Sequence, residues 1–175
     1  MIIKDLPSYQ TLLGYAKRYP SMDIQVCEAY LHIVRTGAVL HQFVEQSLGK
    51  SGLSYGRFMI LSLLTRFNDP IPVCKLAEMA CVTTPTVSAV LAGMVRDGLV
   101  ERVTDPSDRR VVRIGLMPAG QKMIDDVVPG LLEHQTNVMS GLDDRELKTV
   151  VALLSKVRLD AGPCSKEPEK SCKTS

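Results

Sequence analysis

Residues 98–120 read GLVERVTDPSDRRVVRIGLMPAG. Leu99 to Val103 is a short β-prone run, and Val112, Ile114 and Leu116 alternate with Val111, Arg113 and Gly115 at the period of two that a half-buried strand requires. Between the runs, Thr104-Asp105-Pro106-Ser107-Asp108 carries turn chemistry, because proline presets φ and Asp and Ser side chains bond nearby backbone groups. The segment is a two-stranded ribbon, and the chain on either side of it reads helical. Arg109 and Arg110 follow the turn at once, so two guanidinium groups stand at the tip or on the first residues of the returning strand. A basic tip of this kind suits a nucleic-acid groove.

Immediately upstream, Thr84-Pro85 reads as an N-cap followed by proline at the first helical position, opening a helix to Asp97 that Gly98 stops. Val87, Val90, Leu91, Met94 and Val95 form its buried side, leaving Thr86, Ser88, Ala89, Ala92, Gly93 and Arg96 outside. So small an outer ridge can lie close to another surface. Ahead of it, Asn68-Asp69-Pro70-Ile71-Pro72 reads as a turn, Val73, Leu76, Ala77 and Ala80 mark a short helix, and Cys81-Val82-Thr83 is a break. Helix, tight turn, helix is the helix-turn-helix arrangement, which lays its second member in the DNA major groove. In such an arrangement base contacts would fall mainly to Thr86 and Ser88, with Thr84 as a further candidate, Pro85 and Ala89 against thymine methyls and Arg96 as the first cation on the helix.

Working outward, Ser54 caps a core helix rich in Phe58, Met59, Leu61, Leu63 and Leu64. Asp23 to about Leu48 is a long helix with two adjacent apolar rows, a stripe wide enough to touch more than one partner. A short helix with Tyr9, Tyr15 and Tyr19 precedes it. Downstream, Pro118 to about Met139 is helical with an irregularity expected at Pro129-Gly130. Asp143 and Glu146 form a capping box for a last helix through about Leu159, striped by Leu147, Val150, Val151, Leu154 and Val157. The chain thus divides into an N-terminal arm (1–22), a long helix (23–48), the helix-turn-helix with its hairpin (49–117), two further helices (118–160) and a polar, disordered tail (161–175).

At 175 residues and 45% hydrophobic content the chain builds a core without staples, and its formal charge of +2 permits nucleic-acid binding without demanding it. Five cysteines, with no CxxC pair and no secretory leader, point to a reducing, cytoplasmic setting. No apolar run approaches the ~20 residues that span a bilayer, so no membrane is expected. The sequence holds no phosphate-binding glycine loop, no HExxH and no GxSxG, and its three histidines are scattered. The expectation is neither an enzyme nor a protein with a cofactor or metal.

The order of elements, with Gly98-Leu99-Val100, Asp105-Pro106, Asp108-Arg109-Arg110 and Leu116 to Gly120, resembles the MarR family of winged helix-turn-helix regulators over roughly Asp23 to Leu159. The resemblance implies a mainly α fold, a three-helix core plus a β-hairpin wing, flanked by an N- and C-terminal helical dimerisation region. It implies a homodimer whose first and last two helices interlock, bound to double-stranded DNA at a pseudo-palindromic operator and acting as a ligand- or oxidant-responsive repressor. Arg110, which closes the D-x-R element, would enter the minor groove, with Asp108 bracing it or Arg109; narrow grooves attract arginine through their enhanced negative potential. Arg113 sits farther into the strand, so Arg110→Ala is expected to cost more binding than Arg113→Ala. Two departures stand out: the recognition helix lacks a cation midway, and Met117 replaces the usual capping threonine, a loss of ~1 kcal/mol.

The same resemblance implies a pocket for a small aromatic or phenolic effector, with Cys27, Tyr30, His41, Tyr55 and Phe58 as lining candidates, although each also reads as ordinary core. Cys27 has the position of the family's redox sensors, but it equally continues the apolar row that Ile24 begins. A winged-helix module used only for protein contacts, without operator-specific DNA binding, is the alternative that the small ridge and low charge allow.

Overall fold

The computed structural model describes residues 5–160, and the tail reading for 161–175 lies outside them. The described residues form two units, divided between Ser47 and Leu48. In the first, Ser8 caps α1 (Tyr9–Arg18) by accepting from the Thr11 N–H at 3.3 Å. The Asp23 carboxylate caps α2 (Ile24–Lys50), whose last residues enter the second unit, by accepting from the Gln25 and Val26 N–H groups at 2.9 and 3.1 Å. These caps satisfy donors that a helix start leaves orphaned. Among the described residues the apolar rows of α2 are not fully covered: Val26, Tyr30, Ile33 and Val34 are exposed.

The second unit is built around α3 (Tyr55–Leu64), capped by Ser54 and burying Ile60, Leu61, Leu63 and Leu64. The turn expected through Pro72 ends earlier than its composition suggests. Ile71 and Pro72 instead form β1, pairing Ile71 with Ile114. Ile71 gains a buried place, and Pro72, with no N–H to give a ladder, is tolerated because β1 is an edge strand. Helix α4 (Val73–Met79) follows directly.

Helix α5 (Thr84–Arg96) is capped by Thr83, one residue before the expected cap, because it is the Thr83 hydroxyl that accepts from the Thr86 N–H. Thr84 and Pro85 are then its first two helical residues. The helix ends as expected at Gly98, whose φ of +69° suits glycine, with Leu99 N–H on Met94 O at 2.9 Å and Gly98 N–H on Val95 O at 3.1 Å. Strands β2 (Val100–Thr104) and β3 (Val112–Leu116) form the expected hairpin, and β1 on the other side of β3 makes the wing three-stranded, in the order β1-β3-β2. Leu61, Leu76, Val87, Leu91, Met94, Val100 and Ile114 lie fully inside, so the helix-turn-helix and the wing share one core.

Helix α6 (Pro118–Met139) starts at Met117 without a side-chain cap and runs unbroken through Pro129. The expected irregularity does not interrupt it: Pro129 and Gly130 are exposed, and Gly120, Ile124, Val127 and Leu131 hold the other face by burial. The capping box forms at α7 (Asp144–Asp160), with the Asp143 N–H donating to Glu146 at 2.9 Å and the Glu146 N–H donating to Asp143 at 2.8 Å. No single helix among the described residues is long and apolar enough to cross a membrane.

Candidate nucleic-acid interface

The exposed side of α5 is set by its cap. Thr83 and Thr86 bring their hydroxyls to 2.8 Å of each other, which holds Thr86 at the start of the outer ridge. Pro85, Thr86, Ala89 and Arg96 are exposed, and Thr84 and Ser88 are half-buried beside them. Arg96 lies with its Nε 3.5 Å from Asp97, a loose contact for a side chain mostly in solvent.

Gly93 does not belong to this ridge. It is half-buried under Arg57 of α3, whose Nη2 would stand 2.7 Å from a Cβ placed there. The guanidinium crosses Gly93 to reach the Asp97 carboxylate at 2.7 Å. Asp97 closes α5, where the helix dipole disfavours an anion, and the cation from α3 offsets that penalty. The hydrogen bond from Arg57 holds the Asp97 carboxyl below its usual range.

At the wing tip, Asp108 braces neither arginine side chain as expected. Its carboxylate accepts from the Arg110 backbone N–H at 2.9 Å, so it shapes the turn and leaves the side chains of Arg109 and Arg110 exposed. The charged pair lies elsewhere. Asp105, only 6% exposed, accepts from the Ser107 and Asp108 N–H groups at 2.7 and 3.2 Å with one oxygen and from Arg113 Nε with the other. Arg113 also donates to the Pro70 carbonyl at 3.1 Å. No local pattern in the sequence pairs Asp105 with Arg113; the hairpin register, with Val103 opposite Arg113, brings positions 105 and 113 into reach.

These bonds, the one from Arg113 foremost, lower the Asp105 pKa from 3.8 to about 2. A carboxylate whose folded-state pKa lies below its unfolded value stabilises the fold fully above the unfolded value, and that contribution disappears as pH falls through the folded one. The expected result is an acid-induced loss of stability between pH 3.8 and about 2 that Asp105→Asn flattens. Denaturant melts of both proteins across that window measure it, and superimposable pH profiles would contradict the assignment.

The effector candidates divide between the units. Cys27 is half-buried on α2, Tyr30 one turn on is 67% exposed, and His41 is exposed and paired with Glu45 at 3.5 Å. Tyr55 and Phe58 are half-buried on α3. Among the described residues no three potential metal ligands cluster.

The model of the MarR family matches residues 53–112. The HTH-type transcriptional repressor YetL of Bacillus subtilis is 30% identical over 155 residues, which cover 88% of this chain and 93% of YetL. The S. aureus MepR–DNA complex is similar in structure, with a TM-score of 0.69 and 25% identity over 75% of this chain and 96% of MepR. A MarR-family regulator from Silicibacter pomeroyi gives a TM-score of 0.62 and 28% identity over 74% of this chain and 86% of its own. With a capped helix-turn-helix, a charged three-stranded wing and near full-length similarity to YetL, the chain belongs to the MarR family of DNA-binding transcriptional regulators.

Proposed function

We propose that this regulator is a homodimeric repressor that reads a pseudo-palindromic operator, with α5 in the major groove and the wing arginine Arg110 in the adjacent minor groove. The observation that carries the reading is the pairing of an exposed, small-residue ridge on α5 with two exposed guanidinium groups at the wing tip. Thr84, Thr86 and Ser88 supply hydrogen bonds to base edges and Pro85 and Ala89 supply apolar contact, while Arg96 and Arg109 neutralise phosphates. MepR, which shares the fold, is seen on DNA, and YetL is a repressor. A dimer carries two copies of α5, so its half-sites lie about one helical turn, 34–36 Å, apart. Tyr55 and Phe58 stand on the helix that sends Arg57 to α5, and a small aromatic or phenolic effector lodged against them acts on α5 through α3.

Selection from a random duplex library followed by fluorescence anisotropy tests the reading. A palindromic consensus is expected, with affinity that falls steeply with salt because phosphate contacts release counterions. Arg110→Ala is expected to weaken binding about ten- to hundredfold and to reduce the salt slope by about one unit. A protein that shows no salt-dependent binding to any duplex would instead be a module for protein contacts.

A further inference from the structure

We propose that Asp105 and Arg113 are positioning residues for the wing arginines: they fasten the tip to Pro70, just ahead of β1 and α4, and so fix Arg109 and Arg110 relative to the helix-turn-helix. The proposal rests on the DNA-binding reading above and adds the device that aims the wing.

The strand pairing ends at Thr104–Val112, and Pro106 to Arg110 are exposed. A hairpin tip in water is floppy unless other groups hold it. Here a continuous set of bonds does so. The Pro70 carbonyl accepts from Arg113, Arg113 donates to Asp105, and Asp105 accepts from the Ser107 and Asp108 N–H groups. Asp108 then accepts from the Arg110 N–H. The tip closes on itself through Asp105 N–H to Val111 O at 3.0 Å and Val111 N–H to Asp108 O at 2.9 Å. The Pro70 ring also faces β3, 3.3 Å from where a Cβ of Gly115 would stand. The bonds therefore run from the entrance of the helix-turn-helix, 43 residues away in sequence from Arg113, to the backbone of the residue that carries the groove-seeking side chain.

A buried carboxylate would be a costly way to gain stability alone, since taking charges out of water offsets much of their attraction. Its return lies in order. An arginine held at the end of a fixed backbone loses less freedom when it meets DNA than one on a mobile loop, and preorganisation of this kind appears as affinity. Arg113 meanwhile contributes no net charge to the phosphates, because Asp105 neutralises it beside the same turn.

The test is a double-mutant cycle on the full-length protein with its selected duplex. Arg113→Ala is expected to weaken binding about tenfold with the salt slope unchanged, whereas Arg110→Ala lowers the slope by about one. In an Arg109→Ala/Arg110→Ala background the Arg113→Ala loss should shrink to about twofold or less, because there is no wing arginine left to aim. A purely structural role would cost the same in both backgrounds, and that result, or a slope reduced by Arg113→Ala, overturns the proposal. Should Arg113→Ala fail to fold, Arg113→Gln, which keeps a donor toward Pro70 but removes the cation that faces Asp105, takes its place with the same expected pattern. If Arg110→Ala itself leaves binding unchanged, the wing reading falls and this proposal with it; if Arg110→Ala has its expected effect while Arg113→Ala has none, only the positioning role falls.

Discussion

Gly120→Ala is expected to destabilise the protein by about 3 kcal/mol or more, the scale at which overpacking a rigid core site ceases to be tolerable. Gly120 lies in the first turn of α6, and a Cβ there would meet Leu99 O at 2.3 Å, Leu116 Cδ1 at 2.9 Å and Leu61 Cδ2 at 3.0 Å. The two leucine methyls can rotate away, but Leu99 O cannot. It belongs to the backbone between Gly98, itself fixed at φ +69°, and the first residue of β2, and it accepts the Met117 N–H at 3.1 Å. That last bond matters more than usual because Met117 offers α6 no side-chain cap. One methyl therefore drives α6 away from the strand it is anchored to. Gly130, on the same helix with nothing within 4 Å of its Cβ position, provides the contrast: Gly130→Ala should be neutral or stabilising by about 0.5–1 kcal/mol through helix propensity. Parallel urea melts measure both, and a Gly120→Ala protein within about 1 kcal/mol of the parent would show that α6 is not seated on Leu99 as described.

That glycine illustrates what could and could not be read along the chain. Its place in the Leu116 to Gly120 motif was visible, but its reason is a carbonyl 21 positions earlier that no local rule reveals. Features set by neighbours in sequence were legible: the Ser54 cap, the Asp143–Glu146 box, the Gly98 stop and the alternation of β3 all depend on residues within a few positions. The cap of α5 slipped by one because Thr83 and Thr84 offer the same hydroxyl and only the backbone decides which sits outside the helix. Strand β1 escaped because two residues, one of them proline, have no period to detect, and the strand exists only because β3 is there to pair with. The candidate interface divides the same way. The exposed ridge of α5 and the tip arginines follow from periodicity and turn chemistry, whereas Arg57 over Gly93 and Arg113 on Pro70 join segments 36 and 43 residues apart. By helical angle Gly93 faces outward, and it is covered only because another helix sends an arginine across it.

Val151→Glu/Leu154→Glu is expected to convert the protein from dimer to monomer and thereby to weaken operator binding about a thousandfold. The stripe of α7 is legible in sequence yet finds no cover among the described residues: Val151 is 66% exposed, Leu154 43% and Val157 49%. On α6, Leu132, Val138 and Met139 are exposed as well. Scattered apolar residues are normal on a surface, but a row at helical spacing forms a continuous patch of the kind that marks an interface. The partner proposed for it is a second copy, as the resemblance implies, and a second copy is also what a pseudo-palindromic site requires. Two carboxylates in the middle of the stripe would each lose their hydration on association, and facing copies would set like charges against one another. Loss of the dimer removes the second half-site contact, and linked contacts are worth a factor of about 10²–10⁴ in affinity. Lys156→Glu, on the opposite, polar side of α7, changes charge by a comparable amount and should leave the dimer intact. Light scattering at micromolar protein gives the oligomeric state, circular dichroism confirms that the monomer keeps its helices, and anisotropy on the full operator reads the affinity. A double variant that stays dimeric would place the interface elsewhere. A folded monomer that still binds the full operator with parental affinity would refute the requirement for two copies, because a single α5 and a single wing would then account for all of the binding.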